Sequence, residues 1–141
     1  MTKPLNTIAV GYDGSEPATV AVRWAFAVAQ QIGTDVVLVH AVGLLSRLEG
    51  QSVSSDLLRS VHQLAAEFDL APTRWRWHVT DGDACSVLLR AADEPIAADL
   101  LVVGSRGQSV HAGLLLGSTS LQLAERSRVP LVIVPSGRDA S

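Results

Sequence analysis

Three glycines, a run of hydroxyl residues and one carboxylate are the groups in this chain whose types and spacing could do chemistry. In the stretch Val102 to Ser120, VVGSRGQSVHAGLLLGSTS, the glycines Gly104, Gly107 and Gly117 stand where backbone must turn sharply or come close to a ligand. Ser118, Thr119 and Ser120 follow as candidate helix caps. Free N–H groups at a helix start, backed by the helix dipole, form a site for an anion such as phosphate. The same composition also describes an ordinary strand-to-helix loop, so the local pattern leaves both readings open. Arg106, inside the stretch, is either a phosphate clamp or a solvated loop arginine. Asp13, in GYDGS, is either a turn residue with Gly14 and Ser15 or a carboxylate facing a ligand.

Several chemistries are excluded by what is missing. A Walker A loop needs a lysine after its glycines, and the single lysine is Lys3, outside every loop considered. The dinucleotide fingerprint fails as well, because GYDGS lacks the three-glycine spacing. His40, His62, His78 and His111 show no metal-ligand spacing, and no catalytic histidine is expected. One cysteine, Cys85, rules out an internal disulfide and any multi-cysteine metal site, leaving it a filler role. A net charge of −3 with scattered arginines gives no basic stripe for nucleic acid. The cluster Arg74, Trp75, Arg76, Trp77 reads as one strand with two faces.

The elements that must position these groups alternate in type. Thr7 to Tyr12 is a first strand, closed by Asp13, Gly14 and Ser15. Ser15 caps a helix with Pro17 in its first turn, and Ala18, Ala21, Ala25, Val28 and Ile32 form an apolar stripe ending at Gly33. Asp35 to Val42 is a nearly continuous apolar run, typical of a strand covered on both faces. Gly43 to Ser55 reads as a loop that could close over a ligand, and Asp56 to Asp69 as a helix stopped before Pro72. Trp75 to Thr80 is a third strand, followed by a helix from Ala84 to Ala92 that Pro95 interrupts. Asp99 to Gly104 is a fourth strand. Thr119 with Gln122 fits a capping box for a helix whose apolar side is Leu121 and Ala124, and Val129 to Val134 is the last strand.

This alternation predicts an α/β fold: one open, mostly parallel five-stranded sheet of order 3-2-1-4-5, with helices on both faces. Ligands of such sheets bind beyond the carboxyl ends of the strands where the winding reverses, here between the first and fourth strands. Asp13 then faces the glycine-rich loop, and a nucleotide fits that layout. At 141 residues one domain spanning 1–141 is expected. No apolar run approaches the roughly 18 residues of a membrane span, and MTKPLNTIAV carries no signal segment, which makes the cytoplasm the expected compartment. The last strand falls at the edge without protecting charges, so a homodimer pairing through Val129 to Val134 is expected.

Gly104, two residues, Gly107, nine residues, then Gly117 with Ser118 resembles the ATP-binding signature of universal stress proteins. The likeness runs along almost the whole chain, through IAVGYDGSEPA, VVLVHAV, LLVVGSRG, AGLLLGSTS and VPLVIVP. It implies a Rossmann-like, HUP-type fold that binds ATP, with or without Mg2+, and signals in the stress response through a downstream protein partner that the sequence does not name. Asp13 is then implied to contact the ribose or adenine side, Ala41 to lend its backbone to the base, and Gly104, Gly107, Gly117, Ser118 and Thr119 to hold the phosphates. The family arrangement implies the same dimer. Two other readings stay open: a low-turnover ATPase or nucleotidyl transferase using Asp13, and a member without nucleotide binding that acts through its dimer surface. The linker Ala92 to Asp99 is longer than the family's usual join, and Gly43 to Ser55 matches no motif, which leaves base specificity open.

Overall fold

The computed structural model describes residues 4–43, 51–105 and 117–136. Its elements are β1 (Thr7–Gly11), α1 (Glu16–Ile32), β2 (Asp35–Val42), α2 (Gln51–Glu67), β3 (Trp75–Asp81), α3 (Ala84–Arg90), β4 (Leu100–Gly104), α4 (Ser118–Arg126) and β5 (Leu131–Val134). The five strands form one sheet in the order β3-β2-β1-β4-β5, and every neighbouring pair is parallel. The order expected from the sequence is the order observed.

The central strands β1, β2 and β4 are largely apolar because both faces are covered, whereas the edge strand β3 carries Arg76, His78 and Thr80 between its apolar residues. Alternation along β1 sends Ile8 and Val10 into one core with Val36, Leu38, Val102 and the α1 residues Ala21, Val22, Ala25 and Phe26. It sends Ala9 into a second core with Val37, Val39, Leu101, Val103, Leu88 and Leu123 under α3 and α4. Cys85 packs in this second core. At the amino ends, Asp99 Oδ2 accepts from the N–H groups of Asn6 (2.9 Å) and Thr7 (3.0 Å), which holds β1 and β4 level.

Several local expectations need correction. The buried face of α1 ends at Ala29, and Ile32 is exposed on the turn that Gly33 closes through its N–H bond to the Ala29 carbonyl. Helix α2 begins at Gln51, ahead of Asp56, so the expected loop from Gly43 to Ser55 is helical in its last part, and 44–50 lies outside the described residues. Helix α3 ends at Arg90, before Ala92, because Ala91, Ala92 and Asp93 donate to Leu88, Leu89 and Arg90, tightening the chain into i→i−3 turns ahead of Pro95. The cap of α4 is Gly117, with no side-chain bond, so the Thr119–Gln122 capping box does not form. Its buried side is Ser120 and Leu123, while Leu121 and Ala124 face outward. Strand β5 starts at Leu131, since Val129 and Pro130 lead into it and Pro130 uses its carbonyl to accept from Leu101.

Candidate functional site

At the carboxyl ends of β1 and β4 the sheet opens into a cleft of about 250 Å³. One wall is the end of β1, Gly11, Tyr12 and Asp13, and the opposite wall is the end of β4, Val103 and Gly104, with Gly117 to Ser120 of the α4 start. Val39 and Ala41 of β2 and Ala84 and Leu88 of α3 line the rest with Ala18. The winding reverses between β1 and β4, because β1 is followed on one side by β2 and on the other by β4. The cleft is a consequence of that reversal.

Its polar wall is made mainly of backbone. The first bond within α4 is from Leu121 N–H to the Gly117 carbonyl at 3.1 Å, which leaves the preceding N–H groups of Ser118, Thr119 and Ser120 outside the helix ladder. Gly117, as the cap residue, has no side chain to bond them, and no side chain among the described residues does so. The Ser120 hydroxyl is turned the other way and donates to the Gly104 carbonyl at 2.8 Å, tying the helix start to the end of β4. Gly117 N–H donates to the Ser105 carbonyl at 2.7 Å, so the chain leaves and returns at one point on the rim.

Gly104 has a packing reason to be glycine. A Cβ built there would sit 2.5 Å from the Pro17 carbonyl oxygen and 2.7 Å from its carbon, where the first turn of α1 crosses β4. The Asp13 carboxylate accepts from Ser15 N–H at 3.0 Å, the turn predicted for it, and still lines the cleft. Gly14 takes φ +84° in that turn, a conformation that side chains resist, and a Cβ would meet Leu57. Ser15 in turn accepts from Ala18 N–H and caps α1.

Among the described residues lining the cleft, Asp13 is the one carboxylate and no lysine, arginine or histidine is present. Nor do the described residues contain a group of three or more His, Cys, Asp or Glu side chains that could hold a metal. Near the rim, Asp83 caps α3 by accepting from Ser86 N–H at 2.9 Å. The Ser86 backbone and hydroxyl hold the Asp83 carboxyl below its ordinary value, with a smaller contribution from Arg126.

Of the residues singled out in the sequence, Asp13, Ala41, Gly104, Gly117, Ser118 and Thr119 come together around this cleft. Arg106, Gly107 and His111 lie outside the described residues. The sequence reading named Ser120 as a candidate cap but gave it no place in the site, and it missed Tyr12, Ala84 and Leu88. Ser120 was readable from its place in GSTS, whereas Ala84 and Leu88 enter only because α3 packs under the same end of the sheet.

A sequence model of the universal stress protein family matches residues 4–135. The chain belongs to that family. Universal stress protein Rv1636 of Mycobacterium tuberculosis strain H37Rv is 34% identical over 144 residues, covering 92% of this chain and 95% of that protein. Universal stress protein Rv2005c of the same strain is 30% identical over 134 residues, which is 89% of this chain but 44% of that protein. The chain therefore spans less than half the length of such longer curated relatives. A solved universal stress protein in complex with cAMP superposes with a TM-score of 0.74 at 30% identity, over 92% of this chain and 95% of that one. No helix among the described residues of this universal stress protein is long and apolar enough to cross a membrane.

Proposed function

We propose that this universal stress protein binds ATP in the cleft between β1 and β4 and works as a nucleotide-dependent signalling module. The observation that carries the reading is the row of N–H groups at Ser118 to Ser120, outside the helix ladder and without a side-chain cap among the described residues, on residues that line a cleft whose floor at Val39, Ala41 and Leu88 is apolar. A flat base suits the apolar end, with the Ala41 backbone as its polar contact. The ribose falls to Asp13, and the phosphates to Gly104, Gly117, Ser118 and Thr119, joined by Arg106 and Gly107. The cAMP held by a relative of 30% identity supports an adenine nucleotide in general. Magnesium would arrive with the phosphates, since Asp13 is the one carboxylate among the described residues lining the cleft.

Binding is favoured over turnover for the same reason. Phosphoryl transfer needs a positioned base and cations, and this reading supplies only Asp13 from the described lining, Arg106 and a magnesium ion. The assembly proposed is a homodimer through the β5 edge, acting in the cytoplasm.

Gly117→Val tests the site. Gly117 has φ −74° and ψ 167°, which any residue can adopt, so the variant is expected to fold while its side chain crowds the helix start. Calorimetric titration should show ATP affinity reduced about tenfold or more, consistent with losing one or two charge-assisted hydrogen bonds. ATP recovered from the wild-type complex should be intact. Unchanged affinity in the folded variant would sink the site, cleaved ATP would favour the enzyme, and preference for cAMP would change the ligand.

A further inference from the structure

Beside the cleft, and not among its lining residues, His40 makes an unusual bond at the end of β2. The β1–β2 register runs from Thr7↔Asp35 to Gly11↔Val39, and Tyr12 N–H extends it by donating to the Val39 carbonyl at 2.9 Å. In a parallel ladder, a residue that donates to position j−1 of its neighbour accepts from position j+1. The next bond would therefore run from Ala41 N–H to the Tyr12 carbonyl. Among the described residues that backbone bond is not formed. The ring nitrogen Nδ1 of His40 lies 3.0 Å from the Tyr12 oxygen instead.

A carbonyl oxygen can only accept, so Nδ1 must carry the proton. The imidazole is held in place for this role. It is buried, with 7% exposure, and lies nearly parallel to the Trp77 indole, with centroids 5.6 Å apart and planes 14° apart. Trp77 meets the Tyr12 ring edge-on at 6.3 Å. His40 and Trp77 are on the α1 and α2 side of the sheet, while Ala41, one residue on, belongs to the opposite face and lines the cleft.

We propose that His40 is a positioning residue for the base end of the cleft: its Nδ1–H occupies the Tyr12 carbonyl and so keeps the Ala41 N–H available to a purine edge. The inference rests on the nucleotide reading above, but its structural half stands apart from it. Without the imidazole donor, the ladder closes by one more bond and Ala41 N–H is consumed by the protein itself.

The test uses the full chain as wild type, His40→Phe, which keeps a flat ring against Trp77 but has no donor, and His40→Asn, whose amide nitrogen can stand in for Nδ1. Long-range proton–nitrogen spectra of the free wild type should show His40 protonated at Nδ1. The Ala41 amide should exchange at least about tenfold more slowly in His40→Phe than in wild type, as expected for one gained hydrogen bond. ATP should bind His40→Phe about tenfold more weakly, inorganic tripolyphosphate equally well, and His40→Asn should recover most of the ATP affinity. An unprotonated Nδ1 in the wild type overturns the proposal even if His40→Phe fails to fold. So does full ATP affinity in folded His40→Phe. Should the wild type bind no nucleotide, the function proposed above fails, while the tautomer and Ala41 exchange still decide whether His40 takes the Tyr12 carbonyl.

Discussion

Gly104 shows how one residue can serve fold and site together. In the sequence it reads as the first glycine of a loop that approaches phosphate, yet in the structure the atoms its missing side chain makes room for belong to Pro17. Those atoms are backbone and cannot rotate away. Gly104→Ala should therefore destabilise the protein by about 1–3 kcal/mol, the usual cost of overpacking, measured as a lower denaturant midpoint at unchanged slope. Asp13 is a similar case, because its carboxylate accepts from Ser15 N–H and lines the cleft, so the two readings left open by the sequence are compatible. Neither fact is visible in a string of letters: glycine next to a loop looks the same whether a ligand or a helix turn crosses over it.

Elements with a strong local signal were legible, and those that depend on tertiary partners were less so. The apolar runs at Thr7 and Asp35 and the Ser15–Pro17 cap fix β1, β2 and α1 to within a residue of their observed bounds. The start of α2 was missed because Gln51 to Ser55 carries serine and no apolar period, and a helix there is stabilised by the part that packs, from Leu57 to Leu64. In α4 the face was misread, since a buried Ser120 bonded to the Gly104 carbonyl takes the place that periodicity assigns to Leu121. Asp83 illustrates what a cap contributes. Its folded carboxyl titrates below the ordinary value of 3.8, so the unfolded chain binds the proton more readily. The stabilisation is complete above that value and is lost as pH falls through the lower folded one. Asp83→Ala should lower stability by about 1 kcal/mol at pH 7. The gap from wild type should narrow in strongly acidic urea titrations.

For the whole molecule, the parallel order and the place of the cleft followed from counting alternating elements, which is why the sequence sufficed for them. Assembly is the property that a single chain leaves to its edges. Strand β5 pairs only with β4 within the described sheet, and LVIV presents no charge along that edge. Light scattering at micromolar concentration should give about twice the chain mass of 14.9 kDa. A mass equal to one chain would count against pairing through β5.

The bond between Ser105 and Gly117 ties the end of β4 to the start of α4. Both partners are main-chain groups, so an ordinary side-chain change at either position leaves the tie in place, and proline at 117, which has no N–H, is the substitution that would cut it. The two sides of the polar wall are thus fastened by atoms that every sequence shares.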